Sequence, residues 1–216
     1  ASGRNFDPYF DYVCFYEFYK QFPADPYSQK IKELYQSFME NEVTKRISQS
    51  PYNQAQLIDS DLIKYIAVNT SQRNFAKPEG SAQYSQGKNC YWLNLATVCF
   101  YADEVLGTKK YSEIAINQID WVVGKNPFGL SQVADVGYRF PRMFTMWYWL
   151  KDHPGSEGVI PGGVINGIGG DKDDFPYLDL RNNNWMAWET NEYWNPPTAW
   201  FAMASFQYYK WATAAK

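Results

Sequence analysis

Gly107-Thr108 separates two long stretches of helical period, and that junction limits the fold of this chain more than any other feature. From Asn89 to Leu106 the residues Tyr91, Leu95, Val98, Ala102 and Val105 fall on one side of a helix. Glycine just past the last periodic residue is a stop signal, so Gly107 ends this helix. Thr108 is then placed to cap a second, running from Lys109 to Val123 and stopped at Gly124. Helices joined by so short a turn must run antiparallel, which makes an αα-hairpin.

The same grammar recurs along the chain. Asp7-Pro8 and Asp25-Pro26 each put a capping carboxylate before a proline at the first helical position. After the second pair, Ile31, Leu34, Tyr35, Phe38 and Met39 repeat at helical spacing, and Gln56 to Thr70 continues through Leu62, Ile63, Ile66 and Ala67. The stretch from Asn74 to Lys88 is polar, carries Pro78, Gly80 and Gly87, and reads as a loop. A last helix is expected from about Pro197 to Ala214, with Ala199, Ala202, Met203, Phe206 and Tyr209 as its apolar residues. At 216 residues the chain fits one domain, 1–216, with a sizeable core.

Charge and cysteine content narrow the partners. A net charge of −3 with no basic stripe argues against nucleic acid. No apolar run reaches the roughly 20 residues that cross a bilayer, so no membrane partner is expected. Cys14, Cys90 and Cys99 lack the spacing of a zinc site or a disulfide framework, and Cys90 and Cys99 fit a buried helical face. Ala1-Ser2-Gly3-Arg4 has no apolar leader core. No cofactor is implied.

Between the helices, Lys125 to Trp194 is rich in Gly, Pro, Asn and Asp, and ordered irregular segments of this length usually carry function. Within it Glu189 and Glu192 sit among Trp185, Trp188, Tyr193 and Trp194. Indole rings strip water from a carboxyl group, which raises its pKa and lets it hold a proton as a general acid. Aromatic faces also stack on sugar rings, and aromatic residues make up 19% of the chain. Carbohydrate chemistry is the reading that joins both observations.

Three blocks in order resemble the C-terminal half of family 9 glycoside hydrolases, the cellulase-type endoglucanases. The first is Ile119-Asp120-Trp121-Val122-Val123-Gly124-Lys125-Asn126-Pro127-Phe128-Gly129-Leu130-Ser131, a helix end followed by Gly-x-Asn-Pro and Ser, with Gly137 at the place of a later family glycine. The second is the Gly-rich Pro161-Gly162-Gly163-Val164-Ile165-Asn166-Gly167. The third is Tyr177-Leu178-Asp179-Leu180-Arg181, matching Tyr-x-Asp-x-Arg, followed by Glu189 and, six residues on, Asn195.

The resemblance implies an all-α fold of helical hairpins forming part of an (α/α)6 toroid, with a long irregular loop segment. It implies hydrolysis of a β-linked polysaccharide or oligosaccharide with inversion, and a secreted or periplasmic protein. The family spacing selects Glu189 over Glu192 as the acid that protonates the leaving oxygen. A second carboxylate, roughly 6.5–9.5 Å away in inverting enzymes, would activate water. Arg142, Tyr177, Asp179, Arg181, Trp185, Trp188, Glu192, Tyr193, Trp194 and Asn195 are the expected substrate-binding set.

Two departures accompany the match. The family's Asp-Ala-Gly-Asp motif, which carries the base, does not occur in these residues, and the place of its His-His-Arg motif holds Pro141-Arg142-Met143-Phe144-Thr145. The chain therefore reads as the C-terminal portion of such a domain. Its base, and a possible partner in the N-terminal half, would lie outside it. The alternative is a non-catalytic glycan-binding or structural module derived from such an enzyme, and a polysaccharide lyase on the same framework is a third reading.

Blander readings stand beside these. Glu189 and Glu192 could be carboxylates that simply complement a helix N-terminus. Asp179 and Arg181 could form a local ion pair worth about 0–1 kcal/mol. Asp171, Asp173 and Asp174 lack a full calcium loop and fit solvated turn residues better, so no metal is expected. The Gly162 to Gly170 run has no Gly-Lys-Ser/Thr ending and no flanking strand, so tight turns explain it better than phosphate binding. His153, beside Pro154-Gly155, fits a structural turn. Phe144, Trp147, Tyr148 and Trp149 fit either core or subsite wall.

Overall fold

The computed structural model describes residues 9–45, 87–141, 160–170, 176–180 and 188–214. Asp7-Pro8, the expected 56–70 helix, most of the expected 74–88 loop, Phe144 to Trp149, His153 and the Asp171 cluster lie outside these residues. Two compact units emerge. One comprises Ala1–Ala55, Tyr91–Ile119 and Trp200–Lys216, and the other Gln56–Cys90 and Asp120–Ala199.

The first unit is helical. Helix α1 spans Phe10–Gln21 and begins at an N-cap, Tyr9, that makes no side-chain capping bond. Helix α2 spans Pro26–Phe38, and here the expected cap is present: the Asp25 carboxylate accepts the Tyr27 N–H at 2.8 Å. The chain then widens into a π-helical segment, Met39–Thr44, in which Thr44 donates to the Met39 carbonyl at 2.8 Å. Ile31, Tyr35, Met39 and Val43 are buried, as period 3.6 requires, while Leu34 is exposed. Tyr12 seals the α1–α2 contact, stacking on Phe38 at 4.3 Å and meeting Tyr35 edge-on.

Helix α3 spans Asn89–Leu106 and ends at Gly107, whose φ of +64° is open to glycine at little cost. The Thr108 N–H reaches back to the Asp103 carbonyl at 3.0 Å, closing a Schellman turn. Cys90 and Cys99 are buried, as the helical pattern required. Tyr16 lies flat on Tyr101, with ring centroids 3.7 Å apart.

Helix α4 spans Ser112–Val123, three residues later than expected from a Thr108 cap. Thr108 does accept the Lys110 N–H at 3.2 Å, but the helix is capped by Asp103 instead. The buried Asp103 carboxylate accepts the Tyr111 N–H at 3.0 Å, the Ser112 N–H at 2.8 Å and the Ser112 hydroxyl. A carboxylate already held on the preceding helix satisfies two orphan amides at once, and so sets the boundary.

Among the described residues, the second unit is mostly loops and short pairings. Strands β1 (Gly169–Gly170) and β2 (Pro176–Tyr177) pair antiparallel, and single bridges join Val133 to Val164 and Ile165 to Tyr193. The Gly162 to Gly170 run thus ends in a strand, where sequence suggested turns alone. Asn126 explains the Gly-x-Asn-Pro block: its Nδ2 donates to the Trp121 and Leu130 carbonyls, both at 2.8 Å. Helix α5 is the short Trp188–Asn191, and α6 spans Asn195–Ala214.

The apolar face expected of α6 is corrected. Ala199, Ala202, Met203, Phe206 and Tyr209 are exposed, and Trp200, Ala204 and Gln207 are buried instead. This helix is apolar on nearly every side, so composition sets no face. Polar anchors choose it: Gln207 reaches the Tyr101 hydroxyl at 3.4 Å and Lys210 pairs with Glu104 at 2.9 Å.

Candidate active site

Glu189 lies on α5 with 1% of its surface exposed. Its Oε2 is buried with no hydrogen-bond partner among the described residues. A charged carboxylate cannot be left so cheaply, whereas a protonated one can. Burial first, and then the negative charge of Asp179, push the Glu189 carboxyl above its ordinary range. The group is an acid biased toward holding its proton.

Backbone pairing holds α5 in place. The Glu189 carbonyl accepts the Gly87 N–H at 2.8 Å, the Thr190 carbonyl accepts Gly167 at 2.8 Å, and the Glu192 carbonyl accepts Asn166 at 2.7 Å. The receiving segment is itself fixed by Asn89, the first residue of α3. Its N–H donates to the Asn166 carbonyl at 2.8 Å and its Nδ2 to the Ile165 carbonyl at 3.0 Å. From the other side Gln132 donates through Nε2 to the Trp121 carbonyl and accepts the Ile168 N–H through Oε1.

The glycines here are required by approach. A Cβ on Gly87 would stand 2.2 Å from the Gly167 carbonyl oxygen. One on Gly167, at φ +105°, would strike the Asn89 side chain at 2.4 Å. No side chain fits between these strands of backbone.

Asp179 is also buried and is tied to the residues that follow Glu189. Its N–H donates to Thr190 Oγ1 at 3.1 Å, and its carbonyl accepts Asn191 Nδ2 at 2.6 Å. The Thr190 hydroxyl completes the loop by donating to Asn191 Oδ1 at 2.6 Å.

The residues expected at the site divide as follows. Glu189, Asp179 and Glu192 are buried, Tyr177, Tyr193 and Trp194 are half-buried, and Asn195 is exposed at the start of α6. Trp188 opens α5, and only its backbone is described. Arg142, Arg181 and Trp185 lie outside the described residues. Sequence reading missed Gly87, Asn89, Thr190 and Asn191 as parts of the framework. Only Asn89 gave a signal, an amide at a helix start, and its partners 76 and more residues away were invisible. Among the described residues no cluster of metal-ligating side chains occurs.

Residues 11–202 match the sequence model of Glycosyl hydrolase family 9. No curated protein sequence matches the chain. Among solved structures, a metagenome-derived glycoside hydrolase family 9 endoglucanase aligns with a TM-score of 0.54 at 21% identity, over 85% of this chain and 30% of that one. The cellulase Cel9M of C. cellulolyticium in complex with cellobiose aligns over 62% of this chain and 32% of that one, at 14% identity and a TM-score of 0.42. The chain thus spans about a third of the length of these structures. The likeness to the endoglucanase carries the fold, all-α helical hairpins of the (α/α)6 toroid type.

Proposed function

This chain belongs to glycosyl hydrolase family 9, and on that premise we propose that it acts in hydrolysis of a β-linked glycan with Glu189 as general acid. The observation that carries the reading is the Glu189 carboxyl: buried, with an unpartnered oxygen among the described residues, and raised in pKa beside a second carboxylate. An acid that must protonate a leaving alkoxide near neutral pH needs such a site, because an ordinary glutamate has already lost its proton there.

In this reading Glu189 gives its proton to the glycosidic oxygen as the bond to the anomeric carbon breaks. Water adds to the opposite face of that carbon and surrenders its proton to a base, which inverts the configuration. The base comes from sequence beyond these 216 residues, since the Asp-Ala-Gly-Asp motif does not occur among them. Tyr177, Tyr193 and Trp194 offer aromatic surface to a sugar, and Asp179, Glu192 and Asn195, with Arg142, Arg181, Trp185 and Trp188, complete the proposed substrate-binding set.

The test is hydrolysis of a chromogenic β-glycoside panel by this chain and by the full product of its gene, each with Glu189→Gln. Loss of about 10²–10⁴-fold in kcat supports the acid role. Turnover untouched by the substitution removes Glu189 from it. Binding to insoluble glycan without turnover by either form supports the glycan-binding module, which the missing base motif favours.

A further inference from the structure

Thr190 and Asn191 are neither carboxylates nor aromatics, yet both are fully buried directly after Glu189. Their polar atoms do not bond to α5 itself alone. They turn to Asp179, eleven and twelve residues back, and take up its main chain on both sides. A buried threonine and asparagine could have satisfied each other and nearby amides locally; here a closed ring of three hydrogen bonds spans two segments.

We propose that Thr190 and Asn191 are positioning residues, whose side chains clamp the N–H and C=O of Asp179 and thereby fix its carboxylate relative to the Glu189 acid. The proposal rests on the reading of Glu189 as the proton donor but assigns a separate task. The acid needs a neighbour close enough to matter, and a loop carboxylate would otherwise drift toward water. Coulomb interaction falls with distance and with solvent access, so a loosened Asp179 acts more weakly on Glu189. Among the described residues, Asp179 is the charged group that bears on Glu189. With both backbone groups of Asp179 held, its Cα has little freedom to move away.

The ring also explains a specific choice of side chains. Thr190 must accept from one residue and donate to another through a single hydroxyl, which valine of the same shape cannot do. Asn191 accepts at Oδ1 and donates from Nδ2, two separate atoms of one short side chain, which a carboxylate or an apolar residue cannot do. Serine at position 190 would retain the ring, while alanine at 191 would cut both the bond to the Asp179 carbonyl and the one from the Thr190 hydroxyl, leaving only the Asp179 N–H on Thr190.

The experiment follows the titration of Glu189 in the 216-residue chain by infrared absorption of its protonated carbonyl, isolated as the difference from Glu189→Gln. Asp179→Asn sets the reference for a missing charge. We expect Asn191→Ala and Thr190→Val to shift the Glu189 midpoint down toward that reference, and Thr190→Ser to leave it at the parent value. Amide exchange at Asp179 should accelerate in the first two and stay slow in the third. A parent-like midpoint in Asn191→Ala, with native circular dichroism, overturns the proposal. So does a Thr190→Ser midpoint equal to that of Thr190→Val. If Thr190→Val fails to fold, Asn191→Ala and Thr190→Ser still decide. The titration needs no turnover, so a failed clamp is distinct from a failed acid role, which the glycoside assay reads.

Discussion

Two glutamates, one in each unit, show how differently the two regions treat a carboxylate. In the helical unit, burial alone would raise Glu104, but the Tyr16 hydroxyl at 2.5 Å and Lys210 at 2.9 Å outweigh it and hold the group below its ordinary range. In the loop-built unit, Glu189 has no such partner among the described residues, and burial with Asp179 raises it. One carboxylate is recruited to hold helices together. The other has no such partner among the described residues, and its surroundings favour the protonated form. The framework around it is held by backbone pairing instead, so its Oε2 is left without a partner among the described residues, as the proposed acid role requires. Pairing stabilises a fold, while an unpaired buried acid costs stability and suits function.

The largest test of that contrast is Gly87→Ala. Its Cβ would collide with backbone at 2.2 Å, which no rotamer relieves, so we expect a loss of about 3 kcal/mol or more in urea unfolding. A stable Gly87→Ala chain would show that backbone approach is not what holds α5. Asp103→Ala follows in size. Removing the carboxylate that caps α4 should cost about 1–2 kcal/mol, read the same way, with no change in the Glu189 titration. A shift in that titration would break the separation between the two regions.

The two glutamates should respond oppositely to pH. Glu189 binds its proton more tightly folded than unfolded, so its contribution to stability is complete below the ordinary glutamate pKa of about 4.3 and is lost as pH rises through the raised folded value. Glu189→Gln should therefore raise Tm at pH 7 and lose that gain in acid. Glu104 contributes above its ordinary pKa and loses that contribution as pH falls through its lowered folded value. Glu104→Gln should lower Tm at pH 7 and match the parent in acid. Shifts of the same sign would end the comparison. The smallest effect belongs to Lys210→Met, since an ion pair this exposed is worth about 0–1 kcal/mol. It should still raise the Glu104 midpoint.

Much of the helical unit could be read in one dimension. The Asp25 cap, the Gly107 stop and the buried Cys90 and Cys99 all follow from neighbours within a few residues. Where reading failed, the deciding partner came from another element. Asp103 moved the start of α4, and Gln207 with Lys210 turned α6 so that Phe206 and Tyr209 are 57% and 65% exposed.

At the candidate site the same division holds. Sequence alone supplied the family motifs, and with them Glu189, Asp179 and the neighbouring aromatic residues, because spacing and residue type are local properties. Only the folded chain brought Gly87, Asn89, Asn166 and Gly167 to α5 and closed the ring of Asp179, Thr190 and Asn191. Each of those contacts ends on a backbone group that every residue carries, mostly far away in the chain, so nothing in the local side-chain pattern marks the pairing. Burial of the carboxyl, and with it the upward shift of its pKa, is decided there.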